Sequence, residues 1–183
     1  MQVFKSPNKR ESGQKAAAQG AALINKTIAA KGTANIILAT GASQFEMLEA
    51  LTATEDIDWS AVTLFHLDEY IGLDDQHPAS FRKYLRERFE AKVGPLKNAF
   101  YVETESGSPE EVCQTLNEQI QALPIDICFA GITAATRVAP SGGHQNVIES
   151  VSVDITGCTD GAAVIDPKSV GAVEAVELYH RIE

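Results

Sequence analysis

Two stretches of the sequence hold side chains whose types and spacing could do chemistry. In FHLDEYIGL, residues 65–73, an apolar run ends in two adjacent carboxylates, Asp68 and Glu69, and then an aromatic. A carboxylate at the mouth of a sheet, shielded by Phe65 or Tyr70, can take a proton from carbon next to a carbonyl. The competing reading is a solvated acidic turn, since acidic residues at strand ends are usually exposed. Adjacent residues in extended chain face opposite ways, so only one of the pair is expected in a cleft. In LATGASQ, residues 38–44, the segment Thr40-Gly41-Ala42-Ser43 offers a glycine, small side chains and two hydroxyls. Such a turn can aim backbone N–H groups and a helix dipole at an anion. It also reads as an ordinary tight turn with Ser43 capping a helix. The lysine of a Walker motif is absent.

Both stretches need a scaffold, and hydrophobic patterning supplies one. Residues Ser6 to Lys31 read as an Ala-rich helix, with Ser6 and Pro7 as cap and first turn and Gly32 as the stop. The run ANIILA, Ala34 to Ala39, predicts a buried strand, and FEMLEALTA after the turn has Phe45, Leu48 and Leu51 at helical spacing. A second strand is predicted at Ala61 to Leu67, then an amphipathic helix over Pro78 to Val93 with Phe81, Tyr84, Leu85 and Phe89 on one face. A third strand follows at Asn98 to Glu103, a helix begun by Ser108 at Pro109 to Leu123, and a fourth strand at Asp126 to Ile132. This alternation predicts an α/β fold with a mainly parallel sheet, right-handed crossovers and helices on both faces. Ligands collect outside the carboxyl ends of such strands, which is where both stretches fall. Beyond Ile132 the rhythm fails. VSVDIT and Ala162 to Asp166 read as strands, and SVGAVEAVELYHRIE as a terminal helix.

Bulk properties narrow the partners. A length of 183 residues predicts one domain, and a formal charge of −10 argues against generic binding to nucleic acid or to an anionic membrane. A small anionic ligand would need a dedicated cradle. Cys113, Cys128 and Cys158 are scattered and odd in number, as expected of reduced thiols. The N-terminus has no signal-peptide h-region and no run of about 18 apolar residues occurs, so a soluble cytoplasmic protein is expected. His66, flanked by Phe65 and Leu67, reads as a core histidine, His77 as a loop residue ahead of its helix, and Phe81 as core.

LATGASQFEMLEAL, then LFHLDEYIGLDDQHPASFRKYLRERF, then DICFAGI resembles the glucosamine-6-phosphate deaminase (isomerase) family, of the superfamily shared with 6-phosphogluconolactonase. The likeness covers about residues 1–132, and LDEYIGL...HPASF is its most specific part. The resemblance implies a Rossmann-like three-layer α/β sandwich that binds a sugar phosphate and needs no metal or organic cofactor. Thr40, Gly41, Ala42 and Ser43 match the phosphate-cradling turn, Ala42 standing where a second glycine is common. Asp68 matches the general base, with Glu69 as a neighbour of the substrate site. The implied reaction is ring opening, proton transfer at C2 and hydrolytic loss of ammonia to give a ketose phosphate. Relatives occur as monomers and hexamers, so a homo-oligomer is compatible with the resemblance. The resemblance is equally compatible with a close relative such as a galactosamine-6-phosphate isomerase; rival readings are a 6-phosphogluconolactonase and a non-catalytic sugar-phosphate sensor.

After DICFAGI the family expects a loop of the form GxxGHIAFNEP, but here Ile132 runs into TAATRV. The nearest match is GGHQNVIE, in which His144 and Glu149 keep the His-to-Glu spacing and Gly142 stands in the place of an acid. His144 and Glu149 are therefore the candidate ring-opening pair, against a structural Gly-Gly-His loop. Arg137 and Lys168 are candidate cations for the phosphate. Two origins fit the break: a chain naturally shortened after Ile132, or a longer chain from which intervening residues are absent. The abruptness of the change inside the expected active-site loop points to the second. The domain is accordingly expected to be single, spanning 1–183, and incomplete after residue 132.

Overall fold

Strands covered on both faces read as near-continuous apolar runs, and two such runs form the middle of the sheet, with Asn35, Thr63 and His66 as buried polar exceptions. The computed structural model describes residues 6–132 and two further strands, 161–165 and 179–181. Ala34–Leu38 (β1) and Val62–His66 (β2) pair in parallel, Ala34 opposite Val62 through to Leu38 opposite His66. Glu69–Ile71 (β3) follows directly on β2 but leaves its sheet. Asn98–Phe100 (β4) lies outside β2, and Ile127–Ile132 (β5) outside β1, both parallel. Gly161–Ile165 (β6) closes the far edge, giving the order β4-β2-β1-β5-β6. The whole is a Rossmann-like α/β sandwich with a mainly parallel sheet.

Two features depart from the reading of the sequence. The strand β6 runs antiparallel to β5, Cys128 opposite Ile165 through to Ile132 opposite Gly161. Tyr179–Arg181 (β7) is extended where a terminal helix is predicted, and it pairs in parallel with β3. An unpaired strand edge offers a row of backbone donors and acceptors, and filling it outweighs weak local helix propensity. The predicted strand VSVDIT lies outside the described residues.

The helix Lys9–Lys31 (α1) is capped by Asn8, not Ser6, because the Asn8 side chain accepts the Glu11 N–H at 2.9 Å. It stops at Gly32, φ 81°, whose N–H returns to the Ile28 carbonyl at 2.7 Å. Its buried face is Gly13, Ala16, Ala17, Gly20, Ala21 and Ile24. Small residues there permit close approach: a Cβ on Gly13 would lie 2.7 Å from backbone atoms of Glu46 and Met47. Those residues belong to Phe45–Thr52 (α2), which buries Met47, Leu48 and Leu51. Phe45, predicted on that face, is instead 39% exposed.

The third helical stretch begins at Phe81, not Pro78, because the Ser80 side chain caps it by accepting the Lys83 N–H. It runs as Phe81–Leu85 (α3), a π-helical turn Arg86–Glu90, and Ala91–Val93 (α4). Leu85 and Phe89 are buried, Phe89 edge-on to Trp59 at 5.2 Å. Pro109–Ala122 (α5) starts with a reciprocal Ser108–Glu111 capping box.

Replacing an interior helical glycine by alanine normally stabilises a helix by about 1 kcal/mol. Gly13→Ala should do the reverse and cost about 1–3 kcal/mol, because backbone of α2 stands where the methyl would go. Thermal unfolding of the variant checks this, and an unchanged or raised Tm would contradict the packing.

Candidate active site

The ladder between β1 and β2 brings the two candidate stretches side by side. It continues past His66, with the Leu67 N–H donating to the Leu38 carbonyl at 3.3 Å. Thr40 and Asp68 thus follow the register pair Leu38 and His66 by the same two residues, at the carboxyl ends of adjacent parallel strands. On the other side the Ala39 N–H donates to the Phe129 carbonyl at 2.9 Å, so the segment entering Thr40 is held by both neighbours.

At the turn, Gly41 has φ 107°, a conformation that favours glycine, and a Cβ there would meet nothing within 4 Å. Its carbonyl accepts the Gln44 N–H at 3.1 Å and the Tyr84 hydroxyl at 3.2 Å. Burial pushes the Tyr84 hydroxyl up to about 12, so it remains a donor. Residues Ala42–Gln44 make one 3₁₀ turn into α2, and neither start has a side-chain cap. Ser43 therefore does not cap the helix. Among the described residues, Thr40 Oγ1 and both amide atoms of the fully buried Gln44 have no hydrogen-bond partner.

The acidic pair divides. Asp68 is half-buried, whereas Glu69 has 0% exposure and turns into the protein. Glu69 Oε1 accepts the N–H groups of Tyr70 and Phe81, each at 3.0 Å. Its Oε2 accepts the Ser80 hydroxyl and the Arg82 N–H, both at 2.9 Å, and Arg82 Nε at 3.2 Å. Burial pushes this carboxyl up, but the Arg82, Phe81 and Tyr70 N–H groups and the Ser80 hydroxyl outweigh it and hold it below the usual range. Arg82 is also buried, and it further donates to the Leu73 carbonyl at 2.9 Å and to Glu105 at 2.8 Å. Glu69 is thus an anion set at the N-terminus of α3, where unpaired N–H groups gather.

His66 is 3% exposed; its Nδ1 accepts the Val102 N–H at 3.4 Å and its Nε2 has no partner among the described residues. Burial pulls its pKa down to about 4, so the ring is neutral at pH 7. His77 is a loop residue ahead of its helix, with Nδ1 accepting the Ala79 N–H at 3.1 Å. The half-buried ring of Phe81 packs on Tyr70 at 4.8 Å. Gly142, His144, Glu149, Arg137 and Lys168 lie outside the described residues. Among the described residues no group of three or more His, Cys, Asp or Glu side chains could hold a metal ion. Sequence reading missed Arg82, Tyr84 and Gln44, all of which bear on the site. The only signal for the first two is their place in an amphipathic pattern, which packing already explains.

A family model described as glucosamine-6-phosphate isomerases/6-phosphogluconolactonase matches residues 7–134. The chain belongs to that family. It is 32% identical over 133 residues to a glucosamine-6-phosphate deaminase of Streptococcus pneumoniae serotype 4, covering 72% of this chain and 54% of the relative. A deaminase of Shewanella halifaxensis is 31% identical over 118 residues, covering 62% and 45%. The chain therefore spans about half the length of the curated relatives it matches. Among solved structures it resembles a monomeric glucosamine-6-phosphate deaminase with TM-score 0.60 and 25% identity, over 68% of this chain and 52% of that one. A 6-phosphogluconolactonase of Shewanella baltica shares the fold at TM-score 0.56 and 20% identity, over 69% and 55%. The matched span contains the Thr40–Ser43 turn, Asp68 and the Glu69–Arg82 pair. No described helix is long and apolar enough to cross a membrane.

Two outcomes are expected from this arrangement. Glu69→Ala leaves Arg82 buried beside a single half-exposed carboxylate, Glu105, and should cost about 3–5 kcal/mol, read from the urea midpoint. Asp68→Asn should lower that midpoint by less, because Asp68 is only half-buried and Asn keeps its shape, and equal losses in the two variants would refute the division of labour. For His66, the unfolded ring binds a proton near pH 6.5 and the folded one only near 4. Stability should fall as pH drops through this window, by about 2 kcal/mol between pH 7 and 5, with Glu69 adding to the loss below pH 4.5. Urea melts of His66→Gln should show a shallower slope between pH 7 and 5, and a slope equal to the parent's would exclude His66 as the source.

Proposed function

We propose that the chain acts on an amino-sugar 6-phosphate as a glucosamine-6-phosphate deaminase, converting it to a ketose 6-phosphate and ammonia. One observation carries the reading: a glycine turn suited to an anion and a half-buried carboxylate end adjacent parallel strands, while the second carboxylate is locked inward. The family match and the deaminase relatives support it. In this reading the phosphoryl group sits at Thr40, Gly41, Ala42 and Ser43, at the start of α2.

After the ring opens, Asp68 takes the proton from C2 of the open-chain aldehyde. The electron pair left on C2 forms the C1–C2 double bond of an enolamine, and the carbonyl oxygen takes up a proton. Return of the proton to C1 makes the C2 imine, to which water adds, and ammonia leaves to give the ketone at C2. No redox partner is needed, since C1 is reduced as C2 is oxidised. His144 and Glu149 are assigned the ring-opening proton transfer by the spacing in GGHQNVIE. Glu69 neighbours Asp68 and supports it from inside the protein.

Incubation with glucosamine 6-phosphate, with ammonia and fructose 6-phosphate measured, tests the proposal. The chain should release both in equal amounts, and Asp68→Asn should lower the rate about 10²- to 10⁴-fold. An Asp68→Asn rate equal to the parent's would remove Asp68 as the base. Binding of fructose 6-phosphate without any ammonia release would replace the enzyme with a sugar-phosphate sensor. Turnover of 6-phosphogluconolactone alone would make it a lactonase.

A further inference from the structure

Arg88 lies against two rings that flank the Thr40–Gln44 turn. Its guanidinium lies 4.3 Å from the centroid of the Phe45 ring and 5.4 Å from that of Tyr84. The two rings are themselves stacked, 5.8 Å apart and 19° from parallel. Both adjoin the turn: Phe45 follows Gln44 directly as the first residue of α2, and the Tyr84 hydroxyl from α3 donates to the Gly41 carbonyl. A guanidinium lying on aromatic faces is fixed in place while its N–H groups stay available at the edge of its plane.

The cations around it are committed elsewhere. Arg82 is bound by Glu69 and Glu105, Arg86 by Asp75, and Lys83 donates to the Gln76 carbonyl. Arg88 is exposed and makes no ion pair among the described residues, in a chain with 25 Asp+Glu against 15 Lys+Arg. Phe45, its platform, stands out among the large apolar side chains as exposed.

The turn itself has hydrogen-bonding capacity that the described residues leave unused. Gln44 is fully buried with both amide atoms unpartnered among them, and Thr40 Oγ1 is buried and unpartnered as well. Such groups are costly to leave unmade, so a site that keeps them is shaped for an incoming polar group. The open face of Gly41 leaves room for one.

From this geometry we infer that Arg88 supplies the cation for a phosphoryl group bound at the Thr40–Gln44 turn, with Phe45 and Tyr84 as the platform that holds it there. The inference rests on the sugar-phosphate reading above and adds to it a cation from the described residues, beyond the sequence candidates Arg137 and Lys168. A helix start offers only partial positive charge to a dianion, and the full charge of Arg88 strengthens the hold and gives planar hydrogen bonds.

Calorimetric titration of the full chain with fructose 6-phosphate, inorganic phosphate and fructose tests it. Arg88→Ala should weaken fructose 6-phosphate and phosphate by the same factor, about 10- to 100-fold, and flatten their salt dependence. Arg88→Lys, which keeps the charge but not the flat stacking, should fall between the two. Arg88 is exposed and its cation–π contacts are worth about 0.5–1 kcal/mol each, so both variants should stay folded and unfold within several degrees of the parent's temperature. Equal fructose 6-phosphate affinity in Arg88→Ala and the parent would overturn the role of Arg88 and leave the sugar-phosphate reading standing. A loss of fructose binding as large as that of fructose 6-phosphate would also overturn it, placing Arg88 on the sugar. Failure of the parent to bind fructose 6-phosphate or phosphate would overturn the sugar-phosphate reading, and this inference with it.

Discussion

A carboxylate taken wholly out of water must be surrounded by donors, and Glu69 meets that demand at the N-terminus of α3. Two of the N–H groups it accepts, from Phe81 and Arg82, belong to the first turn of that helix, and a third comes from Tyr70 in its own strand. The pair therefore joins segments about a dozen residues apart into one rigid corner. Arg82 extends the corner to Leu73 and Glu105, so the loop after β3 and the segment after β4 are drawn to the same point. Asp68 immediately precedes Glu69, and its backbone cannot move without breaking this set of bonds.

The same helix serves the other half of the site. Three residues beyond Phe81, Tyr84 reaches the Gly41 carbonyl. One helix is thus anchored at its start by the acidic stretch and along its length to the glycine turn. The distance between Asp68 and Thr40–Ser43 is set by two links: the β1–β2 ladder beneath them and α3 across them. Buried, charge-assisted bonds at one end and a hydroxyl that stays protonated at the other make this a fixed separation.

What could be read from the sequence follows from range. The strands β1 and β2 are legible because burial on both faces favours a near-continuous apolar run, and Gly32 and Ser108 because their capping chemistry is local. Both candidate stretches are legible as strand ends, but their adjacency is a matter of register, which no local pattern states. Alternation along an extended chain says that Asp68 and Glu69 separate, yet which one turns inward depends on the N-terminus of a helix twelve residues later. Phe45 satisfies the helical pattern and still lies outside the core, because Tyr84 and Arg88 offer its ring a partner that spacing cannot reveal. Arg82 and Tyr84 are hidden by an amphipathic pattern in which polar and aromatic residues already have a sufficient explanation.

The π-helical turn Arg86–Glu90 connects the packing to the site. Leu85 and Phe89 are both buried, and Phe89 must reach Trp59, while Tyr84 and Arg88 stack around Phe45. A regular α-helix keeps the i and i+4 pairs Tyr84–Arg88 and Leu85–Phe89 on neighbouring stripes about 100° apart, whereas a wider turn adds one residue and changes that angle locally. The core contact and the aromatic stack lie on two different bodies, the Trp59 side and α2, so a helix serving both gains from a local change of phase. Such a turn exchanges regular hydrogen bonding for side-chain placement, and the placement here is beside the glycine turn. The irregularity in the helix and the order of the site are consequences of the same packing problem.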